Sequence, residues 1–256
     1  TERGTPQGGI ISPTLANITL DGMEGILQKE YWTNKKGTVD RQHNKKKVYL
    51  TRYADDFVVT ATTEETLIEI KEKLRRFLKE RGLEFSEEKT KIVDINNGFD
   101  FLGWNFRKYK GKLLIKPSEE SIKGISEKVK EVIKQMICSK QSELIERLNP
   151  IITGWCNYHR GVCSKKIFQN LDRIIFESLW KWAKRRHQTK SRKWIKERYW
   201  TREEQRDWIF RDEKKKLKFA SDTKIIRHTL VRLKANPYLP EYREYYENRQ
   251  MDKIVK

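Results

Sequence analysis

The sequence lacks long hydrophobic runs and internal repeats, and it contains little cysteine. No apolar stretch among its 256 residues approaches the roughly 18 that a membrane-spanning helix requires, so we expect no membrane partner. Three cysteines, odd in number and without the close pairs of a zinc site, stand at Cys138, Cys156 and Cys163. Isolated buried thiols are typical of a reducing compartment, and we therefore expect a cytoplasmic protein.

A leader or transit segment is also missing from the sequence. The chain begins with Thr1 instead of Met, inside what looks like a motif, and we interpret it as part of a longer polypeptide. Its length is enough for one large domain or two ordinary ones, with room for a real core.

Acidic charge is scarce in the second part of the chain. Residues 1–100 hold 17 Lys and Arg against 17 Asp and Glu, whereas residues 101–256 hold 39 against 19. The whole net charge of +20 therefore lies in the second part. Such an imbalance predicts a polyanionic partner there, with nucleic acid as the leading candidate.

Two adjacent carboxylates, Asp55 and Asp56, stand between two short runs of apolar and β-branched residues. This pattern over residues 48–61 predicts two strands joined by a tight turn. Unpaired carboxylates at such a turn cannot be packed in a core, and hard oxygen ligands of this kind suit Mg²⁺. Taken alone, the pattern fits a metal site and a solvated Asp-Asp turn equally well.

The remaining patterns predict an α+β fold whose first part mixes helices and strands. Helices are expected over residues 12–23 and 63–81, an exposed loop over 33–47, and strands over 48–61, around 85–93, and over 99–115. From residue 117 onward, apolar residues recur every three or four positions in three successive stretches, which predicts a small helical bundle.

Four sequence blocks, taken in order, resemble those of reverse transcriptases, and a fifth resembles the maturase region of bacterial group II intron proteins. The blocks are residues 4–13 (Gly-Thr-Pro-Gln-Gly-Gly-Ile-Ile-Ser-Pro), 53–56 (Tyr-Ala-Asp-Asp), 88–91 (Glu-Lys-Thr-Lys), 101–104 (Phe-Leu-Gly-Trp) and 154–160 (Gly-Trp-Cys-Asn-Tyr-His-Arg). Any one block is weak evidence, but five in register are specific.

The resemblance implies a domain order. Residues 1–117 would form part of a reverse-transcriptase palm, an antiparallel sheet with packed helices. Residues 118–200 would form an all-α helical thumb, also called the maturase or X domain, and residues 201–256 a basic C-terminal extension or linker.

The resemblance also implies chemistry at the carboxylate pair. Asp55 would be a catalytic ligand of Mg²⁺, Asp56 a weaker partner of the metal, and Lys89 a proton donor to the leaving pyrophosphate. A solvated lysine is the alternative for Lys89. Substrates would be an RNA template, a DNA primer and dNTPs.

Residues that would contact those substrates come from three blocks. Tyr53 would pack near the primer terminus, and residues 6–9 would lie under the templating base and the incoming nucleotide, where bare glycine permits close approach. Residues 101–104 would form the primer grip. The alternative for Pro6, Gln7, Gly8 and Gly9 is an ordinary Pro-Gly turn. The alternative for Phe101, Leu102, Gly103 and Trp104 is plain hairpin packing.

One family feature is missing. The family supplies a further catalytic aspartate from a strand upstream of the Pro-Gln-Gly-Gly segment, and no aspartate of this sequence takes that position. We therefore predict that residues 1–256 alone cannot polymerise. The alternative function is an RNA-binding splicing factor, a maturase without polymerase activity.

Basic residues are concentrated between positions 181 and 198, with tryptophan and tyrosine interleaved. Cations grip phosphates and exposed aromatic rings stack on unpaired bases, so this stretch predicts RNA binding. The resemblance makes the partner group II intron RNA, with target DNA as a further candidate. We expect half of the interleaved tryptophans to be core, and His159 and His187 to contact RNA or solvent. The predicted RNA-binding residues are Lys181, Lys184, Arg185, Arg186, Lys190, Arg192, Lys193, Lys196 and Arg198.

Overall fold

The computed structural model of the protein describes residues 9–204, 206–226, 230–232 and 235–254. The chain divides into two compact units, Thr1–Phe101 and Leu102–Lys256. Helices and small antiparallel sheets occur together, which confirms the predicted α+β class. Within the described residues, no helix is both long enough and apolar enough to cross a membrane.

Within its described residues, the first unit contains three α-helices and three strands. In chain order they are α1 (Ser12–Thr19), α2 (Met23–Tyr31), β1 (Tyr49–Tyr53), β2 (Asp56–Thr60), α3 (Glu64–Lys79) and β3 (Phe99–Phe101). The single helix predicted over residues 12–23 is interrupted, because Gly22 adopts φ +87° and begins a second helix at Met23. Glycine tolerates this left-handed conformation without steric cost.

Helix α3 shows most directly how the sequence builds this unit. The side chain of Thr63 accepts a hydrogen bond from the backbone N–H of Thr66 and caps the helix. Residues spaced three and four apart then bury one face against α2 and Val48, and burial of each such side chain contributes roughly 1.5–3 kcal/mol. The buried core comprises Leu20, Met23, Leu27, Val48, Ile70, Leu74, Phe77 and Leu78.

The strand predicted around residues 85–93 is not formed. All residues from 80 to 98 are described, and none of them lies in a strand. Residues 87–89 instead form a turn, which is closed by the backbone N–H of Thr90 donating to the carbonyl of Ser86 at 2.9 Å. The four consecutive charged or polar residues from Glu87 to Thr90 give a strand no apolar face to bury.

The described part of the second unit contains five α-helices and four strands. They are β4 (Trp104–Tyr109), β5 (Lys112–Pro117), α4 (Glu119–Gln135), α5 (Gln141–His159), α6 (Lys165–Arg186), α7 (Arg192–Tyr199), β6 (Trp200–Glu203), β7 (Arg206–Phe210) and α8 (Arg243–Ile254). Strands β4 and β5 form an antiparallel hairpin whose turn residues, Lys110 and Gly111, both have positive φ. That conformation matches the twist of a two-residue hairpin turn.

The three long helices α4, α5 and α6 pack into the predicted helical bundle. Their apolar faces meet in one core, with Val129, Leu144 and Phe168 fully buried. The indole of Trp182 is also buried and donates its N–H to the carbonyl of Met136 at 2.9 Å, which satisfies the polar group of a large core side chain. Of the three thiols expected to be buried, only Cys156 is; Cys138 and Cys163 are exposed.

Described residues between Trp200 and Ala220 contribute to this core, whereas the sequence predicts an extension or linker after residue 200. Phe210, Leu217 and Ala220 are buried together with the bundle residues. The carboxylate of Asp172 on α6 accepts hydrogen bonds from the backbone N–H groups of Ala220 at 2.6 Å and Ser221 at 2.9 Å. The helical unit therefore needs this segment to cover its apolar surface.

Candidate active site and nucleic-acid interface

The predicted Asp-Asp hairpin is present. Strands β1 and β2 pair antiparallel with Tyr53 opposite Asp56, so Ala54 and Asp55 form a two-residue turn. Ala54 has φ +54°, a conformation that a residue with a Cβ adopts only under constraint. Asp55 and Asp56 therefore lie in and directly after a tight turn whose backbone conformation is constrained.

Side chains at the hairpin tip face solvent. Tyr53 is 67% exposed, and Asp55 and Asp56 are exposed as well. Among the described residues, no Lys, Arg or His lies within ion-pair distance of either carboxylate. Arg52, the nearest cation in sequence, donates instead to the carbonyl of Ala54 and to the side chain of Asn17 in α1, each at 2.8 Å. Both carboxylates are thus left available to a ligand.

The donor set fits a hard divalent cation in part. Two exposed carboxylates are what Mg²⁺ accepts from a protein when water and substrate phosphates complete its coordination. Within the part of the chain that the structure describes, no group of three or more His, Cys, Asp or Glu residues could hold a metal ion. Asp55 and Asp56 are the two exposed carboxylates that this turn offers to a cation.

Lys89 is exposed on the turn that follows α3. Two contacts hold this turn within the first unit. The ring of Phe85 lies 6.1 Å from that of Phe57, the residue after Asp56. The carboxylate of Glu87 accepts from Arg75 at 2.8 Å, and this guanidinium lowers the pKa of Glu87. The lysine therefore stands on a segment that packs beside the strand carrying Asp56.

The Pro-Gln-Gly-Gly segment is described at Gly9 only; Pro6, Gln7 and Gly8 lie outside the described residues. The carbonyl of Gly9 accepts from the backbone N–H of Ser12 at 3.1 Å, immediately before α1. Helix α1 is the element that Arg52 ties to the hairpin through Asn17. Gly9 thus leads into a helix that is hydrogen-bonded to the carboxylate turn.

The predicted primer-grip residues form a strained turn. Phe101 is half-buried at the end of β3, and Leu102 and Gly103 both have positive φ, +51° and +75°. The carbonyl of Leu102 accepts from the hydroxyl of Tyr158 at 2.7 Å, and the indole of Trp104 stacks on the same tyrosine ring at 5.0 Å. The Leu-Gly-Trp and Gly-Trp-Cys-Asn-Tyr-His blocks therefore contact each other directly.

His159 lies at the centre of that contact, and the expectation that it faces RNA or solvent is wrong. It is 1% exposed. Its Nδ1 accepts from the indole N–H of Trp104 at 3.0 Å, and its Nε2 lies 3.0 Å from the hydroxyl of Ser121. The hydroxyl also accepts from the indole N–H of Trp155 at 3.1 Å. Burial lowers the pKa of His159 to about 4, so the ring is neutral.

Apart from Trp104, the residues of this network were not predicted as site residues from the sequence. Ser121 lies in none of the five sequence blocks. Trp155 and His159 lie in the fifth block, which gave no individual residue a place in a buried network. The signal that could have identified them is the side-chain chemistry. A buried histidine needs both a donor and an acceptor, and here the indole N–H of Trp104 and the hydroxyl of Ser121 supply them.

Most of the predicted RNA-binding cations lie on the surface, at the end of α6 and on α7. Lys181, Lys184, Arg185, Lys190, Arg192, Lys193 and Arg198 are exposed, and Lys196 is half-buried. Arg186 differs, since it donates to the carbonyls of Ile137 at 2.9 Å and of Ser139. Its guanidinium also lies 4.5 Å from the ring centre of Trp182.

Two of the four interleaved tryptophans, Trp182 and Trp200, are buried, which is the half that we expected. Trp182, Tyr199 and Trp200 are buried, and Trp180 and Trp194 are partly buried against the same core. His187 contacts this core instead of solvent alone, with its Nε2 2.7 Å from the hydroxyl of Tyr199. Burial and then the nearby Arg186 lower the pKa of His187.

Two family models match this chain. Residues 1–106 match "Reverse transcriptase (RNA-dependent DNA polymerase)", and residues 122–200 match "Group II intron, maturase-specific domain". The first match contains the Asp-Asp hairpin and the second contains the basic helices. The hairpin and the basic surface therefore fall in regions that match different family models.

Three curated relatives extend this comparison. Protein YkfC of Escherichia coli (strain K12) is 36% identical over 119 residues, which cover 39% of this chain and 31% of that protein. Group II intron-encoded protein LtrA of Lactococcus lactis subsp. cremoris is 26% identical over an alignment of 237 residues. The match covers 62% of this chain and 40% of LtrA. Maturase-like protein 1 of Euglena longa is 32% identical over 97 residues, and the match covers 36% of this chain and 21% of that protein. This chain spans two-fifths or less of each.

Proposed function

We propose that this chain serves both activities in the intact protein, because residues 1–106 match the reverse transcriptases and residues 122–200 match the group II intron maturases. The first unit would take part in Mg²⁺-dependent extension of a DNA primer with dNTPs on an RNA template. The second would bind group II intron RNA and aid its splicing and mobility, with target DNA as a further partner. We propose a cytoplasmic location.

The single observation that carries the polymerase proposal is the exposed carboxylate pair on a rigid turn. Asp55 and Asp56 would hold Mg²⁺, which supplies charge neutralisation at the transferring phosphoryl group. Arg52 keeps the turn in place from behind, because it binds the backbone of Ala54 and α1. It leaves the carboxylates free, so the pair can bind a cation without breaking an internal ion pair.

Other residues of the first unit would position the substrates. Tyr53, 67% exposed next to the pair, can pack against the primer terminus. The residues from Pro6 to Gly9 would lie under the base pair being formed. Lys89, exposed on the turn beside β2, has a reachable ammonium proton for the leaving pyrophosphate. Phe101, Leu102, Gly103 and Trp104 would contact the primer strand.

We propose that residues 1–256 alone do not extend a primer. In-line phosphoryl transfer with two metal ions requires carboxylates from more than one element. Within the described residues, Asp55 and Asp56 gain no third acidic ligand. Primer extension by this chain without any added segment would contradict the proposal.

The test of the polymerase proposal is Asp55→Asn in the intact protein. Loss of a metal ligand should cost several kcal/mol at the transition state, so cDNA synthesis should fall at least about 100-fold. Splicing and intron RNA affinity should stay within about twofold, because the basic surface is untouched. The matched control is Asp21→Asn, an exposed carboxylate of the same unit, which should synthesise cDNA as the parent does.

The outcome separates the two candidate functions. Unchanged cDNA synthesis in the Asp55→Asn variant would refute the assigned metal site. An intact parent protein that splices its intron but makes no cDNA would instead support the RNA-binding splicing factor without polymerase activity.

A further inference from the structure

We propose that Trp208 and Trp180 form a binding site for one unpaired RNA base, with Arg192, Lys193 and Lys196 holding the adjacent phosphates. The site rests on the proposed RNA-binding function of the second unit and deepens it. Trp208 lies beyond the residues that match the maturase model, and it was not among the predicted RNA-binding residues.

The backbone of Trp208 is the first observation. Its φ is +64°, although it is neither a glycine nor an asparagine. A bulky side chain in this region is an outlier that costs of order 1–3 kcal/mol and persists only where the surroundings enforce it. The neighbouring hairpin shows why it can persist, because Ile209 and Phe210 are buried directly after it and the register of β6 and β7 shifts between Thr201 and Glu203.

The consequence of this backbone is an aromatic surface with one open side. The ring of Trp208 is edge-on to Phe176 at 5.5 Å and to Trp180 at 5.8 Å, while Phe176 and Trp180 stack on each other at 6.4 Å. Trp200 is buried beneath them. Trp208 nevertheless remains 36% exposed, so much of a rigidly supported indole is accessible.

Positive charge surrounds the open side. A groove of about 400 Å³ is lined by Trp180, Trp208 and three cations, Arg192, Lys193 and Lys196, with no carboxylate in its lining. The ammonium of Lys196 lies 4.4 Å from the ring centre of Trp208. Among the described residues, none of the three cations forms an ion pair. A flexible lysine over the ring can exchange that contact for a phosphate when a ligand arrives.

The chemistry of the groove selects its occupant. Three cations without an acid favour a polyanion, and indole faces favour a flat aromatic group, so the groove suits a nucleotide whose base is not paired. A base inside a duplex cannot offer its face. An acidic peptide could engage the cations but would leave the aromatic surface without a partner.

The direct test uses the variant Trp208→Ala in the full chain. Its affinity is measured for a short oligouridylate and for a short blunt RNA duplex. Base stacking on an aromatic side chain contributes about 1–3 kcal/mol, so we expect roughly 5- to 150-fold weaker binding of the oligouridylate. Binding of the duplex should change less than about twofold, and the salt dependence of both should be retained, since no cation is removed. Equal affinity of parent and variant for the oligouridylate would overturn the base site.

Two further variants control for folding. Trp208→Phe keeps an aromatic ring and should lose at most a few-fold in oligouridylate affinity, so it remains informative if Trp208→Ala does not fold. Tyr238→Ala removes a tyrosine that is 91% exposed and outside the groove, and it should bind both RNAs as the parent does. A loss in Tyr238→Ala equal to that in Trp208→Ala would also contradict the site.

Photo-crosslinking of the parent chain with an oligouridylate that carries 5-iodouridine locates the base directly. We expect the crosslink on Trp208 or Trp180, and its absence from both would overturn the assignment. In a competition experiment, polyglutamate and unlabelled oligouridylate each displace a labelled oligouridylate. If polyglutamate displaces it at the lower concentration, the groove prefers an acidic peptide and the assignment is overturned. A parent chain without salt-dependent affinity for either RNA would refute the proposed RNA-binding function itself.

Discussion

The indole N–H of Trp104 donates a hydrogen bond to Nδ1 of His159 across 3.0 Å, and this bond fixes the tautomer of the histidine. An indole N–H can only donate, so Nδ1 carries no proton and Nε2–H faces the hydroxyl of Ser121. The turn at Leu102 and Gly103 is thereby held on the C-terminal end of α5. A protonated ring could not accept from Trp104, and stability should therefore depend on pH.

We predict that acid weakens the second unit between about pH 6.5 and pH 4. The folded pKa of His159 is about 4 and its ordinary value is 6.5, so the unfolded chain binds the extra proton across this interval. Stability falls as the pH is lowered and levels off below the folded pKa, with a total change of about 3 kcal/mol. Urea unfolding at several pH values, followed by tryptophan fluorescence, measures it.

The variant His159→Phe supplies the control. It should be about 2–4 kcal/mol less stable at neutral pH, because the Trp104 N–H loses its buried acceptor. Its stability should change less between pH 6.5 and pH 4 than that of the parent. His43→Gln, at an exposed position, should retain the full pH dependence of the parent. A pH dependence that survives in His159→Phe would assign the effect to another group.

The turn that carries Asp55 stores backbone strain at Ala54. Glycine adopts φ near +54° without a Cβ clash, so Ala54→Gly should stabilise the hairpin by about 0.5–1 kcal/mol despite the entropy that glycine loses on folding. Ala61→Gly, at a position without positive φ, should destabilise the same unit. The melting temperature should rise in Ala54→Gly and fall in Ala61→Gly. A lower melting temperature in Ala54→Gly would show that the positive φ at Ala54 carries no strain that glycine relieves.

Local patterns predicted the elements whose chemistry is local. The Asp-Asp hairpin, α3 with its Thr63 cap, and the three bundle helices follow from alternation, capping and three-and-four spacing within short windows. The break at Gly22 was missed because one glycine within an apolar pattern gives no sign of its φ. His159 and Trp208 were missed for a different reason, since their environments are assembled from segments distant in sequence. The functions expected at Asp55, Lys89 and the basic residues stay predictions.

Asp172 tests whether residues 200–220 are integral to the helical unit. Its carboxylate accepts from two backbone N–H groups, those of Ala220 and Ser221. In Asp172→Ala both donors lose a charged acceptor, so we expect the unfolding free energy to drop by about 1.5–3 kcal/mol. Asp207→Ala, at an exposed position, should change it by less than about 0.5 kcal/mol. Equal stabilities of the two variants would favour a loosely attached extension.

Arg185 and Arg186 are adjacent, and the structure gives them different surroundings. Arg185 is exposed, whereas Arg186 donates to the carbonyl of Ile137 at 2.9 Å and lies over Trp182. Arg185→Gln should therefore weaken intron RNA binding and reduce its salt dependence by about one counterion, with the melting temperature unchanged. Arg186→Gln should lower the unfolding free energy by about 1–3 kcal/mol, because a partly buried carbonyl loses a charged donor and an aromatic ring loses its cation. Thermal melts and RNA titrations on the two variants form a matched pair, since the substitution is the same and removes the same charge. Equal losses of RNA affinity, with equal stabilities, would place both guanidinium groups on the RNA-binding surface and contradict the structural role of Arg186.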